Sequence, residues 1–461
     1  MKPAIPDRDP GIVRPFPDPA SRSAALFERA RHVMPGGNTR HMVAFSPYAV
    51  FADRGQGCRL WDVDGNVYLD WVNNFSTQIH GYGFAPVLEA VKAQLERMTT
   101  CFLATESEIE LAELLVERLP GVERVRFTNS GTEANMVAIK GARGLTGRSR
   151  IAKAEGGYHG QFDLLETSFL PTPDNWGPRE RPHSPAASRG TPASLTEQVV
   201  VFPFNDAQAT LQILEQHAGG LAAVIIEPIP ARLGFAVCGT PYLQALREYC
   251  TRNGTLLIFD EVFCNRAGYH GAQGHVGVTP DLTTLGKIIG GGFPVGAVGG
   301  SAAAMAVFDN LASRPWVSHS GTFTANPVTM VAGLAGMRAL TPEVFSRLAA
   351  QGERLRQGLA RAFADAGLRM RANGIGSMTS LQFFEEPADN YRDFFLRSGP
   401  DYLERMKRLH RCLLNQGVLM ATRGLLIGST PMTDADVDDT LERCARALQV
   451  FAADEQRAAG G

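Results

Sequence analysis

An α/β architecture around a mostly parallel sheet is what this sequence predicts, on three observations. Short strand patterns alternate with helical ones from "RVRFTNS" to "TLLIFDEV", two of the strands ("AAVIIEP" and "TLLIFDEV") are near-continuous apolar runs, and each run meets an acidic residue at its carboxyl end. Alternation reads as βαβ units. A strand that is apolar throughout is buried on both faces, as parallel strands are. Ligands of open α/β sheets collect at the carboxyl ends of the strands, where these acids stand.

The elements follow in chain order. The opening 20 residues are rich in proline and read as an extended arm lying on the surface or on a partner subunit. Ser21 then caps a helix carrying Leu26, Ala30 and Val33 at helical spacing. Asp64-Gly65 between "RLWDV" and "NVYLDWV" marks a hairpin in a small antiparallel unit. Helices follow at "VLEAVKAQLERM" and "ESEIELAELLVERL", ahead of the alternating region. The stretch 170–197 is rich in Pro, Ser and Arg, too long for an ordinary connection, and reads as a lid or a disordered segment. From about Val328 a helical pattern leads into a C-terminal α+β portion with strands at "GSMTSLQFF" and "GLLIGST". The predicted domains are 1–75, holding the arm, helix and antiparallel unit; 76–330, the large domain; and 331–461, which completes the smaller domain. A chain of 461 residues, 44% hydrophobic, can bury cores of that number and size.

Composition excludes several function classes. With 45 Lys+Arg against 47 Asp+Glu there is no basic field for nucleic acid, so a charged ligand must be held by a local site. No apolar run approaches the ~20 residues that span a bilayer, and the N-terminus lacks the apolar stretch of a signal peptide, so a cytoplasmic protein without membrane contact is expected. Seven cysteines without a CxxC pair suit reduced thiols. Cys264 reads as a packed small residue rather than a nucleophile. His270 and His275 lack a helical register and an acidic third ligand, so no metal is expected.

Four segments carry chemistry. In "RVRFTNSGTEANM" a strand turns into a helix at Ser130, Gly131 and Thr132, with Ser130 and Glu133 at capping-box spacing. Such a helix start, with free N–H groups and the positive end of a helix dipole, can hold a phosphate. In "TLLIFDEV", Asp260 and Glu261 imitate the acidic end of a nucleotide hydrolase's Walker B strand. That reading fails because no G-x-x-x-x-G-K-[ST] exists: Gly286-Lys287 is followed by Ile288. A buried carboxylate here needs a partner, so a positive group is expected against Asp260. Lys287 lies in an apolar segment before three glycines, unlike the exposed or terminal contexts of most other lysines, and its amine is expected to be desolvated and nucleophilic. In "EGGYHG", Tyr158 offers a ring to a planar ligand, with His159 beside it.

One cofactor unites these parts: a phosphorylated planar aldehyde whose phosphate sits at Ser130-Gly131-Thr132, whose aldehyde meets Lys287, and whose ring nitrogen faces Asp260. That is pyridoxal 5′-phosphate. Opposite charges ~4 Å apart at an effective dielectric near 20 attract by about 4 kcal/mol, enough to favour a protonated ring strongly.

The motifs "MPGGNTR", "WDVDGNVYLD", "RFTNSGTEANM", "GGYHG", "IIEP", "LLIFDEV", "PDLTTLGKIIGGGFPVGAVGG", "SGTFTANP" and "TRGLLIGSTPMTDADVDD" occur in that order over nearly the whole length. In this the chain resembles the class III, fold-type I, pyridoxal-phosphate-dependent aminotransferases, closest to the branch of glutamate-semialdehyde aminomutase and the β-amino-acid (β-phenylalanine-like) aminotransferases. The resemblance implies a large domain with a mostly parallel sheet of the seven-stranded type and a smaller α+β domain from both chain ends. It makes Lys287 the Schiff-base lysine, Asp260 the ring-nitrogen partner and Ser130-Gly131-Thr132 the phosphate cup. Tyr158 and Val262 would cover the two ring faces, His159 and Glu227 would stand in the cofactor site, and Thr322 would reach the phosphate of a neighbouring subunit, which implies a homodimer with a shared site. Arg40, Arg423 and Phe75 would meet the substrate, the arginines gripping carboxylates. Arg232 departs from the small residue usual in aminotransferases and from the asparagine of aminomutases, and is expected to meet a substrate carboxylate or the cofactor's phenolic oxygen. "DEVFCNRAG" and "GTFTANP" also depart from the aminomutase pattern. The implied activity is amino transfer from a β- or ω-amino acid to 2-oxoglutarate or pyruvate; the alternatives are an aminomutase or epimerase on the same cofactor, and a catalytically silent binding homologue.

Overall fold

The computed structural model describes residues 11–43, 45–311 and 316–459, and its contacts divide the chain into two compact units. The larger, Ala85–Ser346 with Ala388–Leu396, is built on one seven-stranded sheet. Its strands in chain order are β1 (Arg124–Thr128), β2 (Arg150–Ala154), β3 (Val199–Phe202), β4 (Leu221–Ile226), β5 (Leu256–Asp260), β6 (Leu282–Gly286) and β7 (Gly296–Gly300). They lie in the order β1-β7-β6-β5-β4-β2-β3. Strands β6, β5, β4, β2 and β3 pair in parallel, while β7 runs antiparallel to both neighbours.

Burial explains the strand sequences. Every residue of β4 is buried, as are Leu257 to Asp260 of β5, because helices cover both faces of a parallel sheet. The Ala/Gly-rich β7 departs from the sequence pattern: "GAVGG" has too little β-branched surface to read as a strand, yet here small residues are required. A Cβ on Gly296 would lie 2.1 Å from the Ser130 carbonyl oxygen, so only glycine lets β7 pass the start of the helix Gly131–Thr146. Strands β3 and β6 are also absent from the sequence reading, being runs of four and five residues.

The second unit joins Met1–Phe84 to Arg347–Pro387 and Arg397–Gly461. It holds a four-stranded sheet, in which the strand Val418–Leu419 pairs in parallel with Val67–Asp70, and a three-stranded antiparallel sheet. Their core gathers Trp71, Leu355, Phe363, Met406, Leu426 and Phe451, and the Trp71 indole donates to Thr440 Oγ1 at 2.9 Å. The Asp64-Gly65 hairpin is tied by Asp62, whose carboxylate accepts from the Asp64 and Asn66 amides and the Tyr68 hydroxyl.

Three expectations change. The domain boundaries fall at 84/85 and 346/347 rather than 75/76 and 330/331, because the helix Pro327–Arg338 packs on the helices Ala85–Arg97 and Glu106–Arg118 of the larger unit. The first half of the proline-rich arm, residues 1–10, lies outside the described residues. Its second half, Gly11 to Ala20, packs on its own unit, with Phe16 buried against Tyr48 and paired through its backbone to Asn415. The 170–197 stretch has little regular structure but is fixed by hydrogen bonds such as Ser168 N–H to Pro185 O and His183 N–H to Trp176 O. No helix among the described residues is long and apolar enough to cross a membrane.

Candidate active site

The carboxyl ends of β1, β2, β4, β5 and β6 bring together nine of the residues singled out from sequence: Ser130, Gly131, Thr132, Tyr158, His159, Glu227, Asp260, Val262 and Lys287. Asp260 ends β5 and is buried. Its Oδ2 accepts from His159 Nδ1 at 2.8 Å and from Asn135 Nδ2 at 2.8 Å, and its Oδ1 from the Val262 amide at 3.0 Å. Burial alone would raise its pKa, but these donors, His159 first, hold it below the usual carboxylate range. Burial likewise lowers the pKa of His159 against the pull of Asp260. A carboxylate only accepts, so Nδ1 carries the proton in this pair.

Within the protein three N–H donors hold Asp260, and the cation expected from sequence to face it is the cofactor's ring nitrogen rather than a side chain. His159, placed in the cofactor site from sequence, bonds Asp260 and positions it. Asn135 is a site residue that sequence reasoning does not find. Its amide also donates to the His159 carbonyl, and its oxygen accepts from Thr284 Oγ1 at 2.7 Å, which fixes its orientation. The available signal is a polar residue on the apolar face of its helix, one turn in. Glu261, beside Asp260, has a separate role. Its carboxylate accepts from the Ala272 and Gln273 amides and starts the helix Gly271–Val276.

At the helix start, Ser130 Oγ accepts from the Glu133 amide, whereas the Glu133 carboxylate takes the Asn129 amide rather than that of Ser130, one residue outside the expected box. The first-turn amides of Gly131 and Thr132 have no partner inside the helix and are available to an anion. The space beside them is kept by glycines. A Cβ on Gly131 would meet Val262 at 2.6 Å, and one on Gly160, at φ +95°, would meet Thr132 Oγ1 at 2.4 Å.

Lys287 follows β6 in a left-handed conformation, φ 52°, which is strained for a residue with a side chain, by roughly 1–3 kcal/mol. Its Nζ stands 5.0 Å from the Phe263 ring centroid. Burial lowers its pKa, opposed by the charges of Asp260 and Glu227, so the amine is poised nearer its nucleophilic form. Lys153 corrects the expectation that Lys287 stands apart as a buried lysine: it lies wholly inside β2, donates to the Thr167 carbonyl at 2.8 Å, and burial brings its pKa down to about 7. Its amine already has an acceptor in the Thr167 carbonyl, whereas Lys287 follows the end of β6 beside the Phe263 ring.

Tyr158, 40% exposed, is held by its backbone amide on Glu227 Oε1 at 3.3 Å. Its ring lies 5.0 Å from that of Phe169, on which the Arg232 guanidinium also stacks, 4.2 Å from the centroid. Glu227 is pushed up to about 8 by burial and by the charge of Asp260. Cys264 is buried with its thiol near the Asp260 carbonyl, and burial raises its pKa, as a packed residue requires. His270 donates to the Arg118 carbonyl, and among the described residues no cluster of three His, Cys, Asp or Glu side chains could hold a metal.

The remaining residues lie elsewhere. Thr322 is exposed on the turn before the helix Pro327–Arg338. Arg40, Phe75 and Arg423 belong to the second unit. There Asn73, Asn74, Phe75 and Ser76 form a left-handed turn, φ 50°, 49°, 52° and 77°. Asp70, buried, anchors it by accepting from the Val72 and Asn73 amides and the Tyr82 hydroxyl. Exposed on this turn, Asn74 Oδ1 accepts from Arg40 Nη1 at 2.5 Å. Arg423 is half-buried in the turn ahead of the strand Leu425–Ile427.

A family model described as Aminotransferase class-III matches residues 42–448. Glutamate-1-semialdehyde 2,1-aminomutase 2 of Bacillus cereus (strain AH187) is 38% identical over 427 residues, covering 91% of this chain and 96% of that protein. Among solved structures, an omega-transaminase from Sphaerobacter thermophilus shares 46% identity with a TM-score of 0.90, covering 94% of this chain and 98% of that one. A beta-phenylalanine aminotransferase from Variovorax paradoxus shares 36% identity with a TM-score of 0.82, covering 94% of each. Pyridoxal 5′-phosphate is the cofactor, and the residues fit it: amides and a glycine cradle for the phosphate, a charged Asp260 for the ring nitrogen, a desolvated Lys287 for the aldehyde.

Two outcomes follow from this geometry. Borohydride reduction of the holoenzyme and peptide mass mapping will place the cofactor on Lys287, and Lys287→Ala will carry none; an adduct on Lys153 would overturn the assignment. The second concerns Glu227, whose carboxyl titrates near 4.5 in the unfolded chain and near 8 in the native one. Between these values the native chain holds the extra proton, so this contribution to stability is complete below the lower value and is lost as pH rises through the upper. Urea midpoints of the apo-protein will therefore fall, relative to Glu227→Gln, between about pH 5 and about pH 8; parallel profiles would refute the shift.

Proposed function

The chain belongs to the class III aminotransferases, and on that footing we propose that it transfers an amino group from a β- or ω-amino acid to a keto acid, 2-oxoglutarate or pyruvate. The observation that carries this reading is the cation-aromatic stack of Arg232, Phe169 and Tyr158. It offers a carboxylate-binding fork next to the cofactor-binding residues, at a position where the aminomutase pattern has asparagine. The names of the omega-transaminase and the beta-phenylalanine aminotransferase support the same donor class.

The cofactor, when bound, supplies an electron sink for the negative charge left on the substrate carbon as it loses a proton. The protein's residues supply the rest. Asp260, kept ionised by His159 and Asn135, holds a proton at the ring nitrogen. With the cofactor bound, Lys287 Nζ would take the substrate proton as general base and return it as general acid. The Ser130–Thr132 turn fixes the phosphate end, so that the reacting carbon is presented to Lys287 in one orientation. By the resemblance to the β-amino-acid branch, Arg40 and Arg423 are candidates for further carboxylate contacts and Phe75 for a contact to the substrate; Arg40 is oriented by Asn74 on its left-handed turn.

The second reading, an aminomutase, has the 38% identity to the Bacillus cereus protein in its favour. A panel of α-, β- and ω-amino donors with 2-oxoglutarate or pyruvate separates the two, scored by the new keto product. Turnover of β or ω donors that requires the acceptor, with weaker use of carboxylated donors in Arg232→Ala, is expected. Success with α donors only, or conversion without any acceptor, defeats the assignment.

The unit of activity is read as a homodimer in which Thr322 serves the partner's phosphate. The single chain exposes Phe102, Leu103, Leu311, Trp316 and Phe323, each at least 60% accessible, large apolar side chains that a subunit interface would cover. Light scattering is expected to give about twice the 49.8 kDa chain mass; a monomer that retains full activity rules out the shared site.

A further inference from the structure

Residues Ala388–Leu396 leave the C-terminal portion of the chain and pack on the larger unit. Arg392 is the centre of this excursion. Its Nε and Nη2 bind the two oxygens of Glu155 at 2.8 and 2.9 Å, a bidentate pair whose side chains are only 16% and 2% exposed. Its Nη1 donates to the Gly177 carbonyl at 2.8 Å and Nη2 to the Trp176 carbonyl at 2.9 Å. The guanidinium also lies 4.9 Å from the Trp176 ring centroid, and Trp176 meets Phe395 edge-on. One residue earlier, the Tyr391 hydroxyl donates to the Pro171 carbonyl at 2.9 Å. The Tyr391 ring covers Gly156 so closely that a Cβ there would fall 2.0 Å from it.

Two things are held by these contacts at once. Glu155 and Gly156 are the first residues past β2, and three and two residues later the same run presents Tyr158. Pro171, Trp176 and Gly177 begin the long proline-rich stretch, which is preceded closely by Phe169 against the Tyr158 ring. A planar guanidinium that satisfies a buried carboxylate and two carbonyls together specifies their separation, which a lysine's single ammonium would not.

We propose that Arg392, with Tyr391, is a positioning and specificity-determining residue: it straps the 171–177 stretch to the exit of β2, and so sets the spacing of Tyr158, Phe169 and Arg232 through which a substrate side chain reaches the cofactor. This goes beyond the assigned activity and rests on it only for the kinetic part. A buried ion pair of this kind contributes little to net stability when intact, but losing one partner leaves the other charge unpaired, so the strap is a device for geometry rather than for strength.

The test uses the holoenzyme as wild type, Arg392→Ala, Arg392→Lys and, as a control of similar chemistry away from the strap, Arg405→Ala, which removes an ion pair to Glu455. Three readouts are taken: trypsin cleavage after Arg179 and Arg189, visible circular dichroism of the bound cofactor, and kcat and KM for the preferred donor. Arg392→Ala is expected to be cleaved at least tenfold faster, on the order expected for loss of ~1.4 kcal/mol of local restraint, with a reduced dichroic band and a KM raised more than kcat is lowered. Arg392→Lys lies between it and wild type, and Arg405→Ala matches wild type in cleavage and dichroism. Equal cleavage in Arg392→Ala and wild type overturns the strap, as does equal acceleration in Arg405→Ala. Should Arg392→Ala not fold, Arg392→Lys decides by the same measures. Because cleavage is read without substrate, a wrong donor class would leave that arm intact.

Discussion

A carboxylate with no solvent around it stays charged only when donors surround it, and Asp260 has three. His159, Asn135 and the Val262 amide come from the exit of β2, the first helix after β1 and the exit of β5, so the charge of one side chain ties three separate segments together. The rest of the site depends on that tie. A neutral Asp260 would no longer favour a protonated ring nitrogen, and Lys287 would lose one of the charges that offset its burial. Asn135 extends the network to Thr284 in β6, one strand nearer the lysine. The donors around Asp260 each meet an acceptor, which is why its charge can lie in the sheet's interior, although His159 Nε2 is buried there without a partner among the described residues.

The steric side is as specific as the electrostatic one. The phosphate cup owes its shape to what is missing: Gly131 leaves room for Val262, Gly160 for Thr132, and Gly296 for the Ser130 carbonyl. These glycines come from three elements. Together they let a helix start, a strand exit and an antiparallel strand approach one point more closely than side chains would permit. The strand that supplies Gly296 is the one whose composition least resembles a strand, because backbone approach was the stronger requirement.

Much of this is legible in the residues themselves. The apolar runs of β4 and β5, the capped helix after β1, the Asp64-Gly65 hairpin and the lysine before a glycine run all carry local signals, and local signals survive folding. What is not legible is long-range. Asn135 binds Asp260, 125 residues away, and its place on an apolar helix face signals a buried partner without saying which. Lys153 reads as an ordinary charged residue because its acceptor, a backbone carbonyl, has no sequence signature. Arg392 meets Glu155 across 237 positions, and only the fold reveals that a piece of the C-terminal portion belongs to the larger unit.

The turn at Asn73–Ser76 invites a different kind of conclusion. Four successive side-chain-bearing residues in left-handed geometry are costly, about 1–2 kcal/mol each for Phe75 and Ser76 and less for Asn73 and Asn74, whose side chains tolerate it. The compensation comes from underneath, through Asp70 and the phenol of Tyr82. Divergence within the turn is therefore governed from both sides: Asn73 and Ser76 are buried beneath it, with Asn73 donating to the Ile427 carbonyl, and a change at the pedestal dissolves the shape whichever amino acids display it.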